Sequence, residues 1–202
     1  MYELNGLSVY MALLTIFSSL LLCASLAVSV SAQRDFFTPE EVELVREAQQ
    51  IDERIELLTK IIDRRFAALN VEVGGAKIKP KDAEKWGQMP TSTRLETLYD
   101  IRRIIEKAID DIDSLAERPD SIVIGEPEKG KKPKGYNELF PKAVRLLAAA
   151  ATRYRPALKA ELDRENGNAE KGSILAALEH CDEIIAAVAK LPAEVAKAKA
   201  KN

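Results

Sequence analysis

Four times between Thr38 and Leu191 the apolar residues recur at intervals of three and four, and that spacing leaves the chain few folds to choose from. An α-helix turns once in 3.6 residues, so side chains at this spacing share one face and need a partner surface to bury it. The first series is Leu44, Ala48, Ile51, Ile55, Leu58, Ile62, Phe66 and Leu69. It opens at Thr38-Pro39-Glu40-Glu41, where Thr38 can cap, Pro39 suits the first helical position and the glutamates face the positive end of the helix dipole. The pattern predicts one long helix that stops near Asn70, ahead of a Val-Glu-Val-Gly-Gly run.

A second helix is expected from Ser92 or Thr93, with Glu96 placed to complete a capping box on Thr93. Its stripe is Leu98, Ile101, Ile105, Ala108, Ile112 and Leu115, and Arg118-Pro119 ends it. The third runs from about Asn137 to Arg164 on Leu139, Ala143, Leu146, Ala150, Tyr154, Ala157 and Leu162. Ala148 to Ala151 makes a thin section for close approach, and Pro156 should kink the helix by removing a backbone bond. Glu165 to Asn168 reads as a tight turn into the fourth helix, Ala169 to Leu191, with Ile174, Leu178, Cys181, Ile185 and Val188 inside and Pro192 as the stop. Four amphipathic helices, none able to bury its stripe alone, predict an all-α fold, an antiparallel four-helix bundle with two long inter-helix loops. Those loops run from Asn70 to Pro90 and from Glu117 to Tyr136, and connections of such length are usually functional or disordered.

Ahead of the helices, Leu7 to Val30 carries no charge, and Met11 to Leu22 is a dense apolar run. Val30-Ser31-Ala32 is a small-residue pattern of the kind signal peptidase accepts. The expected organisation is a signal peptide over 1–32, a helical bundle domain over 33–191 and a Lys-rich flexible tail over 192–202. A signal peptide normally has Lys or Arg ahead of its apolar run, whereas here the charged residue is Glu3. A start at Met11 instead of Met1 removes Glu3 and lets the free amino group supply the positive charge. The competing reading is an uncleaved anchor through residues 7–30, long enough to span a bilayer. Glu3 before it and Arg34 after it would then point the domain inward. A lipoprotein is disfavoured, because Leu22 stands where a small residue must precede Cys23. The protein is thus expected to be exported, periplasmic or secreted. Cleavage leaves Cys181 alone, so no intramolecular disulfide is expected and packing must hold the domain together.

Charged residues make up 31% of the chain but nearly balance, with a formal net charge of −2, so no basic footprint points to nucleic acid. His180 is the one histidine, inside the run Glu179-His180-Cys181-Asp182-Glu183. On a helix these side chains fan out at about 100° per residue. Cys181 falls on the core stripe and reads as a small hydrophobe, Glu179 and Glu183 point to solvent, and His180 sits at the edge. A di-iron bundle needs two Glu-x-x-His motifs and covalent haem needs Cys-x-x-Cys-His; neither is present. A haem held by His180 and a methionine would have to recruit Met89 from a loop. Hydrolase and phosphate-binding glycine motifs are missing too. Asp110, Asp111 and Asp113 read as charges on a solvated helix face. No catalytic, cofactor or metal residue is therefore singled out, and a non-enzymatic protein without a cofactor is expected.

Two features could carry binding. Arg64 and Arg65 close the first helix, where they also suit the negative end of its dipole. The run Lys129, Lys131, Lys132 and Lys134 up to Tyr136 is either a solvated connector or a contact for anionic lipid headgroups or an acidic partner. The stretch Phe37-Thr38-Pro39-Glu40-Glu41, through Val45-Arg46-Glu47-Ala48-Gln49 to Arg54-Ile55-Glu56-Leu57, resembles the opening of uncharacterised exported bacterial helical proteins. That resemblance implies no activity. Periplasmic helical stress chaperones are similar in size and class, but their Leu-Thr-x-x-Gln motif is missing, since Leu58-Thr59 is followed by Lys60-Ile61-Ile62. The expected function is a protein-interaction or structural module of the cell envelope that binds a protein partner or self-associates. The alternative is a small-ligand, haem or metal carrier using the bundle interior near His180 and Cys181.

Overall fold

A computed structural model describes residues 35–75, 78–125, 133–164 and 167–191. The segment expected to be a signal peptide or anchor, Lys129, Lys131 and Lys132 of the basic run, and the expected tail lie outside the described residues. Those described are helical wherever they are regular. The α-helices are α1 (Pro39–Glu47), α2 (Ile51–Ala68), α3 (Arg94–Glu117), α4 (Tyr136–Leu162) and α5 (Asn168–Ala187). Short 3-10 turns occupy Pro80–Trp86, Pro119–Ser121 and Val188–Lys190. None of the described helices is long and apolar enough to cross a membrane.

Sequence-encoded caps set several of these ends. Thr38 and Thr93 each complete a capping box: the hydroxyl accepts from the backbone of Glu41 or Glu96, and that glutamate accepts from the threonine's own N–H. Asn70 ends α2 in the left-handed region at φ 58°, which brings the Val71 N–H to the Phe66 carbonyl at 2.9 Å. Helix α4 continues through both Pro141 and Pro156.

The expected first helix is in fact two. Ala48 and Gln50 leave helical geometry, with ψ 83° and 138°, and the chain bends between α1 and α2. No Pro or Gly lies between Pro39 and Gly74, so the break is not set by a helix-breaking residue. Two contacts hold it: Glu41 of α1 is drawn into the side of α2, and Arg54 Nε donates to the Ala48 carbonyl at 2.8 Å.

Most of the expected stripes form the core. Ile51, Ile55, Leu58, Ile62 and Phe66 are buried from α2, all six stripe positions from α3, and Ile174, Leu178 and Cys181 from α5. The stripes rotate slightly toward their ends, so Leu147, Leu158 and Ile184 are buried while Leu146, Ala157 and Ile185 are half-exposed. Helix α5 packs most extensively on α4 and next on α3, and α2 packs on both α3 and α4. Ion pairs give the directions. Asp52–Lys142 and Asp63–Arg153 advance together, so α2 and α4 run the same way. Arg54–Asp111 and Arg65–Asp100 step in opposite senses, so α3 runs against α2. Arg94–Glu170 and Glu106–His180 set α5 along α3.

Candidate functional site

Along one side of the second half of α2, the chain builds a charged cradle and an open groove that share Arg64. Helix periodicity sets the cradle up: Arg64 and Arg65 follow the buried Ile61 by three and four residues and so extend the face that Ile61 buries, while Phe66 continues the row of Ile62. Glu41, at the third position of α1, is held fully buried between them. Its Oε1 accepts from Arg64 Nη1 at 3.0 Å and Arg65 Nη1 at 2.9 Å, and its Oε2 accepts from Arg65 Nη2 at 2.6 Å. The guanidinium groups are then fixed by backbone. Arg65 donates to the Phe36 carbonyl at 2.8 Å, with Nε 3.4 Å from Asp100 of α3. Arg64 donates to the carbonyls of Trp86 and Gln88, both at 2.8 Å, and its guanidinium lies 5.4 Å from the Trp86 ring centroid. Burial pushes the Arg64 pKa down and the Glu41 charge opposes that shift. Buried charges are tolerated only when paired and hydrogen-bonded, and here the cradle meets that condition.

The groove encloses about 610 Å³ between α2 and the segment that follows it, with Ala67, Val71, Val73 and Ile78 as its apolar floor and Lys60, Glu72 and Arg64 among its polar lining. Arg153 of α4 holds that segment by donating to the carbonyls of Val73 at 3.1 Å and Gly74 at 2.6 Å. The same Nη1 reaches Asp63 Oδ1 at 3.2 Å. The Tyr154 hydroxyl stands 2.9 Å from both Asp63 Oδ1 and the Thr59 carbonyl, sharing its proton between them. Burial first, and the Asp63 charge second, raise the Tyr154 pKa well above its ordinary 10.0, so it stays a neutral donor. Gly75 passes so close to Asp63 that a Cβ there would fall on the carboxylate.

The candidate binding residues read from sequence are not brought together. Arg64 and Arg65 prove to be interior anchors, with their N–H groups turned to Glu41 and to backbone carbonyls. Lys134 is exposed, and Tyr136 is half-buried and stacked on Phe140 at 5.0 Å, one turn into α4. At the other candidate site, Cys181 is fully buried as a free thiol, and burial pushes its pKa up to about 12. His180 stays at the surface, 3.4 Å from Glu106 and 3.5 Å from Glu183. Among the described residues no three His, Cys, Asp or Glu side chains are grouped so as to hold a metal ion.

Sequence reasoning missed Glu41, Trp86 and the Asp63–Arg153–Tyr154 cluster. Glu41 carried a partial signal, since Thr38 and Glu41 have capping-box spacing; nothing local marked the other residues, for Trp86 meets Arg64 across 22 positions and Asp63 meets Arg153 and Tyr154 across 90 and 91. Comparison with protein-family models, with curated proteins and with solved structures finds no match in any of the three.

Proposed function

We propose that this is an exported, non-enzymatic protein of the cell envelope, an antiparallel four-helix bundle that acts by binding a protein partner or by self-association. The observation that carries the binding reading is the groove beside α2. An open cleft with apolar and charged groups in its lining is the kind of surface that seats a protein segment, and one wall of this one, Val73–Gly74, is fixed by hydrogen bonds from Arg153. The export reading rests on the uncharged run Leu7–Val30 and the Val30-Ser31-Ala32 pattern. Membership of a group of exported helical proteins, through the Phe37–Leu57 resemblance, belongs to the same proposal.

A photo-cross-linking residue at exposed Glu72, on the rim of the groove, tests it in the native host. Capture of one discrete partner, or of a second copy, is expected from position 72 and not from exposed Lys159 on α4. Equal, unspecific labelling from both positions, with a monomeric purified protein, would overturn the binding reading. N-terminal sequencing addresses export: Gln33 as the mature N-terminus agrees with cleavage, and an intact Met1 or Met11 in the membrane establishes the anchor.

A further inference from the structure

The two-arginine cradle is a complete carboxylate site, and its present occupant comes from the chain itself. Glu41 receives three guanidinium N–H contacts at 2.6–3.0 Å and a fourth hydrogen bond from the Thr38 N–H at 3.0 Å. Every one of its partners except Thr38 belongs to α2. The guanidinium groups are positioned by Phe36, Trp86 and Gln88 carbonyls and by Asp100, of which only Phe36 lies on the α1 side of the bend. Both guanidinium groups and Asp100 therefore come from outside α1, while the Trp86–Gln88 segment is packed against it through Gly87 and Glu40.

The link between α1 and α2 contains nothing that requires a bend. Ala48, Gln49 and Gln50 are good helix formers, and the Leu44–Ala48–Ile51 spacing carries the apolar stripe straight through them. The bend is imposed from its two sides, by Glu41 in the cradle and by Arg54 Nε, which donates to the Ala48 carbonyl at 2.8 Å. A segment whose local preference is one continuous helix, held bent by the Glu41 contacts and by Arg54, has a straight alternative that becomes accessible when those contacts are released. Helix α1 also packs on α2 and on the Pro80–Trp86 turn far less extensively than α2 packs on α3 and α4 or than α5 packs on either of them.

We propose that α1 is a strap that lifts from the cradle by straightening Ala48–Gln50, and that the vacated site takes the carboxylate of the same segment from a second copy of this chain. The occupant is chosen by complementarity: α1 is the acidic helix shown to fit, with Glu41 at its third position, Phe36 and Phe37 ahead of it, and Thr38 as its cap. Exchange of an identical element about a short hinge is a low-cost route to a dimer. This deepens the self-association half of the proposed function and rests on that reading, but it uses the cradle and not the groove. Cross-linking from position 72 and the experiment below can therefore fail independently.

The test uses the full chain and a labelled synthetic peptide of residues 35–48. Glu41→Gln weakens the strap's own hold, so this variant should bind the peptide and regain lost thermal stability on adding it. The same peptide carrying the Glu41→Gln change should do neither. Wild type should bind at least tenfold more weakly, because its own strap competes. Gln50→Pro should bind no peptide, since φ −72° already suits proline while a continuous helix does not. If folded Glu41→Gln protein ignores the peptide, or binds both peptides alike, the proposal falls. Should that variant fail to fold, amide exchange decides with wild type and Gln50→Pro alone. Amides of Val42–Ala48 are expected to exchange well before those of α2 in wild type and to slow in Gln50→Pro. Exchange no faster than α2 in wild type would also overturn the strap.

Discussion

At the scale of single residues, the buried Glu41 carboxylate ties α1 to α2 through Arg64 and Arg65. Replacing Glu41 with Gln leaves the buried Arg64 without its paired carboxylate and Arg65 with Asp100 alone, and breaking a buried pair typically costs about 3–5 kcal/mol. Chemical denaturation of the two proteins side by side should show that difference; a change below about 1 kcal/mol would mean that Arg64 and Arg65 find other partners. Tyr154→Phe is a milder case. It removes the hydroxyl between Asp63 and the Thr59 carbonyl, for an expected loss of about 1–2 kcal/mol in the same measurement. Neither role was legible in the sequence. Arg64 and Arg65 drew notice as charges at a helix end, a solvated setting, because nothing in the local spacing says that a glutamate 23 residues earlier folds back onto them. Long-range ion pairs depend on how elements cross, and a one-dimensional pattern does not record crossings.

At the scale of elements the sequence was far more informative, because helices are specified locally. The Thr93–Glu96 capping box, the α3 stripe and the Arg118-Pro119 end are all present as expected. Thr93→Ala should therefore cost α3 about 1 kcal/mol, visible as a lower melting temperature and faster amide exchange confined at first to residues 94–98. The failure at this scale is the break at Ala48–Gln50. Local preference and periodicity both favour continuity there, and a tertiary contact overrides them. That same conflict is what lets a single substitution at Gln50 test the strap.

For the whole molecule, packing and alkaline titration are linked. The Cys181 thiol has an ordinary value of 9.0 and is pushed up to about 12 in the fold. Above pH 9 the unfolded chain has released this proton while the folded chain keeps it, so the unfolded state is favoured as pH rises. Stability should be level below pH 9 on this account and then fall toward pH 12, by up to about 1.4 kcal/mol per pH unit for one such group. Tyr154 shifts in the same direction and steepens the loss above pH 10. Urea titrations at pH 8, 9.5 and 11 would measure it, and Cys181→Ala should flatten the interval just above pH 9. No slope difference between the two proteins would mean that the thiol titrates as if exposed. The core position of Cys181 was legible from the α5 stripe; its neighbours on α3 and α4 were not.

Gly75 has a consequence of another kind. Its backbone lies against Asp63, which Tyr154 and Arg153 hold in place, and Arg153 in turn grips Val73 and Gly74. At this point the vocabulary open to mutation shrinks to one letter, since even alanine displaces the carboxylate on which two other side chains converge. Across diverging descendants of this chain, position 75 should drift least among the loop positions around it, and where it does change, Asp63 should change with it.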